Sequence, residues 1–309
     1  MEMSFLLVEQ ICQLFLMMFF GFLLVKGKIL ESDQSVVLSK VLLYVVSPCA
    51  IINSFSVEFS QDKLIGLGIA FLGAFIVQVF YIPMTSSLSR FFGFTQIEKA
   101  SIIYSNAGNL IIPLVGAILG KEWVLYTSGY IVVQTILMWT HAKTLVSGER
   151  SYDFKKIFGN VNIIAIGIGL VIFFFQIPLP IMIIGSVEKV GSMMGPLAMI
   201  VVGMLIGPMS FKDIFYDKRT YIVCLMRLII LPLTMIFVLK LFGLDHLTSE
   251  ASQILLVTTL AMSAPTAATI TQFAQIYNKH PGYAGVLNVV SVMFSVVTMP
   301  LMTMIYQIL

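Results

Sequence analysis

The sequence predicts an all-α polytopic membrane protein, and its composition is the first reason. Of its 309 residues, 59% are hydrophobic and only 11% are charged, and the mean hydropathy is +0.99. Ordinary globular proteins carry about 25% charged residues, so this chain lacks the residues that form a water-exposed surface. Its apolar residues come in runs long enough to cross a bilayer as helices, which takes about 20 residues each. No basic cluster with interleaved aromatic residues indicates binding of nucleic acid.

Ten apolar runs of this length follow one another, separated by short charged or Gly- and Pro-rich breaks. They cover residues 4–25, 37–57, 64–87, 100–120, 123–146, 159–177, 190–208, 220–242, 252–276 and 284–308, which we number segments 1 to 10. The first run has no basic residues before it and is too long for a signal peptide, so we expect it to be retained. The longest hydrophilic break lies at the centre of the chain. It predicts a first half of residues 1–147, a short cytoplasmic linker of residues 148–158 and a second half of residues 159–309.

The positions of Lys and Arg predict the orientation of the segments. Thirteen of these residues follow segments 1, 3, 5, 7 and 9: Lys26, Lys28, Lys40, Arg90, Lys99, Lys143, Arg150, Lys155, Lys156, Lys212, Lys218, Arg219 and Lys279. Only four lie on the opposite side: Lys63, Lys121, Lys189 and Lys240. Because basic loops stay in the cytoplasm, we expect both termini to be extracytoplasmic in a multi-pass protein of the cell membrane.

Five segments in each half is an odd number, so a duplicated half would lie upside down in the membrane relative to its twin. Three proline pairs at matching segments favour such an inverted repeat: Pro48 with Pro196, Pro83 with Pro232, and Pro113 with Pro265. Gly and Pro are common in membrane helices, so the pattern alone leaves a chance match open.

Segments 4 and 9 combine a proline with polar residues in mid-membrane. In segment 4, Pro113 and Gly108 predict a broken helix, and Asn106 and Asn109 are three residues apart on one face. Free backbone groups at membrane depth survive only where they are buried in protein or line a watery cavity. Interrupted segments at corresponding positions of two halves indicate a transport site.

The matching residues of segment 9 are Ser263, Pro265 and Thr266. Helices that restart at the two prolines would direct free N–H groups and the positive ends of their dipoles at a carboxylate. Asn106 and Asn109 would add NH₂ donors, or they would only satisfy carbonyl groups freed by the break. Hydroxyl groups such as that of Thr266 can also bond back to their own helix.

Other polar residues leave two interpretations open. Asn53 could line the same cavity or cap the end of segment 2. Gln134 and His141 in segment 5 favour contact between helices over contact with a ligand. Arg227, two turns into segment 8, is expected to extend toward the cytoplasmic surface, because an Arg at the membrane centre costs about 2.5–3.5 kcal/mol.

Enzyme chemistry finds no support in the sequence. No hydrolase or zinc motif and no phosphate-binding loop is present, and the three His residues share no ligand spacing. Cys12, Cys49 and Cys224 lie in apolar runs and are expected to be inert thiols. We therefore expect no enzyme activity, no cofactor and no metal site.

Several short motifs resemble those of one known family. They are Gly21–Lys26, Leu43–Pro48, Ile51–Phe55, Tyr104–Pro113, Met262–Ala268 and Thr298–Pro300. Their order and spacing over nearly the whole chain resemble the auxin efflux carrier family, whose bacterial members are often named malonate or malate permeases. The short central linker is similar to that of the bacterial members, and the plant carriers have a long loop there.

The resemblance implies a scaffold domain and a transport domain in which segments 4 and 9 cross at their breaks, similar to bile acid symporters and sodium/proton antiporters. It also implies a small organic anion as substrate of a secondary transporter that works by alternating access. Coupling to Na⁺ or H⁺ stays open, as does a homodimer. One alternative is an ion-coupled symporter or antiporter of the bile-acid-symporter type. No Asp or Glu lies in the middle of a segment, where a proton-coupled antiporter would need a carboxylate that titrates. The other alternative is a membrane sensor without transport.

Overall fold

The computed structural model of the chain describes residues 2–148, 159, 161–210 and 217–309, and these residues form helices without an extended strand. The α-helices of the first half are α1 (Glu2–Lys26), α2 (Ser35–Val41), α3 (Ser47–Phe55), α4 (Gln61–Phe92), α5 (Gln96–Ile103), α6 (Ile112–Ile118), α7 (Val124–Leu137) and α8 (Lys143–Ser147). Those of the second half are α9 (Val161–Phe175), α10 (Ile181–Ser192), α11 (Met194–Ile206), α12 (Lys218–Leu225), α13 (Leu231–Leu241), α14 (Ala251–Ser263), α15 (Ala268–Ile276) and α16 (Pro281–Ile308). Residues 149–158 of the predicted linker lie outside the described residues.

Five of the described helical stretches are long and apolar enough to cross a membrane. They are Ser32–Phe55, Gln61–Phe92, Ile181–Ile206, Lys218–Leu241 and Pro281–Ile308. Shorter apolar helices cover Phe15–Lys26, Val161–Phe175 and Ala251–Ser263. The expectation of an all-helical, multi-pass membrane protein is confirmed at this level, and the number of ten segments stays a prediction.

Four short π-helices interrupt the α-helices in the described part of the chain, and three of them precede a proline. The π-helix Leu42–Val46 ends two residues before Pro48, Ala107–Ile111 two residues before Pro113, and Met226–Ile230 two residues before Pro232. A proline has no N–H to donate, and its ring clashes with the carbonyl one turn back. A wider π turn relieves that clash, so helical structure continues past these prolines.

The helices pack in two groups. In the first group, α1 lies along α11, and α3 packs against α9 and α10. In the second group, α4 packs against α7 and α14, and α16 packs against α14 and α15. The groups meet along α1, α11 and α16, and also where the broken segments 4 and 9 approach α3 and α9.

Glycines bring α1 and α11 unusually close together. A methyl group on Gly21 would overlap the carbonyl oxygen of Ile200, and one on Gly203 would overlap that of Met18. A methyl group on Gly207 would lie 2.5 Å from the Cβ of Val25. Small residues spaced four apart allow such backbone contact between membrane helices, so this contact is fixed by Gly203 and Gly207.

Glu98 joins three helices at the end of the bundle where α5 begins. Its carboxylate accepts hydrogen bonds from Arg219 Nε at 2.8 Å and from the Tyr283 hydroxyl at 2.9 Å. It also closes a capping box by accepting from the N–H of Thr95 at 2.6 Å. Burial raises the pKa of the Glu98 carboxyl, but the bonds from Arg219, Thr95 and Tyr283 outweigh burial and hold that pKa below its usual range.

Candidate functional site

Segments 4 and 9 are both broken in the structure. In segment 4, α5 ends at Ile103, Tyr104 is extended (φ −101°, ψ 126°), and a helix resumes at Ala107. In segment 9, α14 ends at Ser263, and Ala264 is extended (φ −63°, ψ 155°). Helical structure there resumes at Ala268. Each segment therefore has a carboxyl-terminal helix end before its break and an amino-terminal helix end after it.

The two breaks lie side by side and run antiparallel. The Asn106 N–H donates to the Pro265 carbonyl at 2.7 Å, and the Ala267 N–H donates to the Tyr104 carbonyl at 3.0 Å. Ser105 and Thr266 stand opposite each other as an isolated β-bridge. We call residues 104–106 and 265–267 the bridge. In this geometry the N–H and C=O groups of Ser105 and Thr266 point away from each other and need partners elsewhere.

Side chains from two helices supply those partners on the two sides of the bridge. On one side, Gln134 Oε1 accepts from the Ser105 N–H at 3.1 Å, and its Nε2 donates to the Ser105 carbonyl at 2.7 Å. On the other side, the Thr266 N–H donates to Ser291 Oγ at 3.1 Å, and Asn288 Nδ2 donates to the Thr266 carbonyl at 2.8 Å. The peptide groups of the bridge are thus satisfied deep in the protein without water.

Arg227 binds the two carboxyl-terminal helix ends that enter the bridge. Its guanidinium is fully buried and donates from Nη1 to the carbonyl of Ile102 at 3.1 Å. From Nη2 and Nε it donates to the carbonyl of Ala264 at 2.9 and 3.1 Å. Arg227 Cζ lies 5.8 Å from the centroid of the Tyr81 ring. A positive charge is favourable at a helix carboxyl terminus, where the helix dipole is negative.

A small cavity of about 80 Å³ lies beside the bridge, at the amino-terminal ends of the resumed helices. Its polar lining residues are Ser47, Ser105, Asn106, Gln134, Thr135, Asn162 and Thr269. Gly108 in the resumed helix of segment 4 and Ala267, one residue before that of segment 9, also line the cavity. None of the described lining residues carries a charge, so the helix ends supply its electrostatic field.

Asn106 contributes a buried side-chain amide to this wall. Its side chain is 4% exposed, and its Nδ2 has no hydrogen-bond partner among the described residues. Leaving a buried donor without a partner costs about 1–3 kcal/mol. An NH₂ group at a helix amino terminus, directed at a polar cavity, fits an anionic ligand.

The opposite wall belongs to the first helix group. Ser47 Oγ on α3 donates to Asn162 Oδ1 on α9 at 2.8 Å, and both residues line the cavity. Met194 of α11 completes this side. The cavity therefore lies between the two helix groups, and a movement of one group against the other would change its shape.

A model of the membrane transport protein family Mem_trans matches the chain over residues 6–154 and 150–303. The chain belongs to this family. It is therefore a membrane transporter, and the family resemblance expected from the short motifs is confirmed. No individual curated protein matches the sequence significantly.

This Mem_trans chain brings some of the sequence-predicted site residues together and leaves others apart. Asn106 and Gly108 line the cavity. Pro265 and Thr266 lie in the bridge, where Thr266 Oγ1 donates to the Ser101 carbonyl at 3.2 Å. Ser263 is buried at the end of α14, outside the cavity wall. Asn53 lies near the end of α3, also outside that wall.

Pro113 is not at the break of segment 4, which is a correction to the sequence analysis. The break covers residues 104–106, and Pro113 is the second residue of α6, within the resumed helix. The π-helix Ala107–Ile111 accommodates the missing N–H, so the proline ends no helix. Pro265, in contrast, lies within its break. The side chains of Asn109 and Pro113 lie outside the described part of the structure.

Three polar residues that line the cavity could not be predicted from the sequence. Ser47, Asn162 and Thr135 are isolated small or polar residues in apolar runs, and no spacing connects them. Gln134 and His141 do make the expected contacts between helices, since the Tyr104 hydroxyl lies 2.8 Å from His141 Nδ1. The expected extension of Arg227 toward the surface is wrong, because carbonyl groups at the bridge satisfy the guanidinium inside the protein.

Proposed function

We propose that this chain is a secondary transporter of small organic anions, with a carboxylate bound in the cavity beside the bridge. The observation that carries the proposal is the buried Asn106 amide, which has no described partner and stands where a helix amino terminus meets the cavity. Pro265 and Thr266 act as parts of the backbone frame, and Asn109 would add a donor on the next turn.

The expected charge balance suits one carboxylate group. Each helix amino terminus carries roughly +0.5 of an elementary charge, so the two ends at the cavity together supply about +1. A fixed Lys or Arg in the wall would bind an anion more tightly, and none is found among the described lining residues. Binding by neutral donors and helix ends leaves the anion free to dissociate on the other side of the membrane.

The pattern of bridge contacts supports the proposed inverted repeat of two halves with five segments each. Gln134 belongs to predicted segment 5 and supports the break of segment 4. Asn288 and Ser291 belong to predicted segment 10 and support the break of segment 9. The same relationship thus occurs once in each half, as an inverted repeat with crossing segments 4 and 9 would require.

The two helix groups fit a scaffold domain and a transport domain. Segments 1, 2, 6 and 7 would form the scaffold, and segments 3 to 5 and 8 to 10 would move against it with the bound anion. Alternating access would then open the cavity first to one side of the membrane and then to the other. The positive-inside rule places both termini outside the cytoplasm in this arrangement.

The experiment that tests this function combines binding and transport. Purified protein is screened for a rise in unfolding temperature with mono- and dicarboxylates, because a ligand that binds only the folded state raises apparent stability. Proteoliposomes loaded with unlabelled malonate are then tested for counterflow of labelled malonate. We expect at least one carboxylate to stabilise the protein and to exchange. If the folded protein responds to no carboxylate in either assay, the proposal is contradicted.

A further inference from the structure

Arg227 provides a second charge relationship at the bridge, separate from the anion cavity. It contacts carbonyl oxygens at the ends of α5 and α14, and none of the described ion pairs gives it a carboxylate partner. An isolated buried charge is very costly, so these carbonyl groups, together with the neighbouring Tyr81 and Tyr130, compensate it. Each helix carboxyl terminus carries roughly −0.5 of an elementary charge, and the two together match one guanidinium.

The carboxyl-terminal ends of broken helices have a known use in secondary transporters. Such ends and unwound carbonyl groups coordinate the coupling Na⁺ or H⁺, and the amino-terminal ends bind the anionic group of the substrate. In this chain the oxygens of Ile102 and Ala264 already accept bonds of 3.1 Å and 2.9 Å from Arg227. A guanidinium is protonated at every physiological pH and cannot leave the site, unlike a coupling cation.

We propose that Arg227 is a fixed counter-cation that occupies the cation position at the bridge, so that anion exchange needs no Na⁺ bound there. The inference rests on the proposed function for its consequence in transport. Arg227 is a positioning residue: it holds the ends of α5 and α14 together and leaves the positive ends of the resumed helices uncompensated for the anion. A bound Na⁺ beside the guanidinium would face a like charge at close range.

The test uses the purified full chain and compares unfolding temperatures in NaCl and choline chloride. The wild-type protein is expected to unfold at the same temperature in both salts. Arg227→Ala is expected to unfold roughly 5–10 °C lower, because removing one partner of a buried charged contact is strongly destabilising. Millimolar guanidinium chloride should raise the unfolding temperature of this variant, and urea, which is neutral and similar in shape, should not.

Two further variants keep the test decisive. Arg90→Ala removes an exposed Arg at the end of α4. Its unfolding temperature should equal that of the wild type and should not rise with guanidinium. Arg227→Lys keeps a positive charge without the planar donors. It should unfold between wild type and Arg227→Ala and stay insensitive to Na⁺, so it decides the question if the alanine variant does not fold.

Transport supplies the second readout. Wild-type counterflow of labelled malonate should be equal in sodium and choline media, and folded Arg227→Ala should lose roughly tenfold or more of it. The inference is overturned if Na⁺ stabilises the wild type or Arg227→Lys, or if wild-type exchange requires Na⁺. It is also overturned if a folded Arg227→Ala keeps the stability of the wild type. The same holds if guanidinium and urea change the unfolding temperature of this variant equally, or if neither changes it. Unfolding temperatures need no substrate, so failure of the proposed anion transport would leave this part of the test intact.

Discussion

Ser105 and Thr266 face each other across an antiparallel bridge at the meeting point of two broken helices, 161 positions apart in the printed sequence. Neither residue bonds to the other through its backbone; their neighbours do, through the pairs Asn106 with Pro265 and Ala267 with Tyr104. This geometry turns two isolated breaks into one unit. It also separates helix ends of opposite polarity, with the negative ends at Arg227 and the positive ends at the cavity.

The side-chain support of the bridge predicts a large loss of stability for Gln134→Leu. Leucine fills similar space but leaves the N–H and C=O of Ser105 without partners in a buried site. Each such group costs about 1–3 kcal/mol, so the free energy of unfolding should fall by roughly 2–5 kcal/mol. Denaturant or thermal unfolding in detergent measures the loss. The exposed Gln61→Leu on α4 is the control and should be nearly neutral.

Asn288→Leu should have a similar but smaller effect. It removes the bond to the Thr266 carbonyl and leaves Ser291 bonded to the Thr266 N–H. One unsatisfied carbonyl predicts a loss of about 1–3 kcal/mol in the same assay. Stability equal to that of the wild type would show that the second side of the bridge does not depend on this contact.

The cavity wall at Gly108 predicts a block of transport without unfolding. A Cβ there would lie 3.7 Å from Met194 Cε, which is ordinary van der Waals contact, so a side chain can enter. The extra methyl groups of Gly108→Val would occupy the cavity, and malonate counterflow should fall roughly tenfold or more with little change in unfolding temperature. Gly68→Val, where nothing lies within 4 Å of the added Cβ, is the matched control and should transport normally.

The Glu98 contacts predict a specific pH dependence of stability. The folded-state pKa of this carboxyl is lowered, so its contribution to stability is present above its ordinary value of 4.5 and is lost as the pH falls through the lowered value. Glu98→Gln should therefore be less stable than the wild type at pH 7, and the two unfolding temperatures should approach each other on acidification. A difference that stays constant down to acid pH would assign the effect to lost packing and not to the charge.

Much of the fold could be predicted from the sequence, because a bilayer allows few alternatives. Lipid offers no hydrogen bonds to a bare backbone, so long apolar runs must become helices, and the family followed from motifs around Tyr104–Pro113 and Met262–Ala268. Asn106, singled out because the residues around it marked a broken helix, lines the cavity, and its role in binding a substrate stays a prediction.

The exact position of the break in segment 4 and the burial of Arg227 could not be predicted in this way. Pro113 suggested a break at itself, and the structure absorbs that proline in a π turn and breaks the helix at residues 104–106. Arg227 looked like a residue that extends to the surface, since its partners are backbone carbonyls of Ile102 and Ala264, more than 30 positions away in the sequence. Contacts to backbone groups leave no signature in residue type or spacing.

Binding of a carboxylate at the Asn106 amide is tested by malonate counterflow into proteoliposomes containing Asn106→Ala, with Gln61→Ala as control. We expect Asn106→Ala to lose roughly tenfold or more of the exchange, because a buried hydrogen bond to a charged group contributes about 1.5–3 kcal/mol. The unfolding temperature of this variant in the absence of anion should not fall, because the substitution removes a buried donor that has no described partner. Exchange at the wild-type rate by folded Asn106→Ala would show that the carboxylate does not bind at this amide.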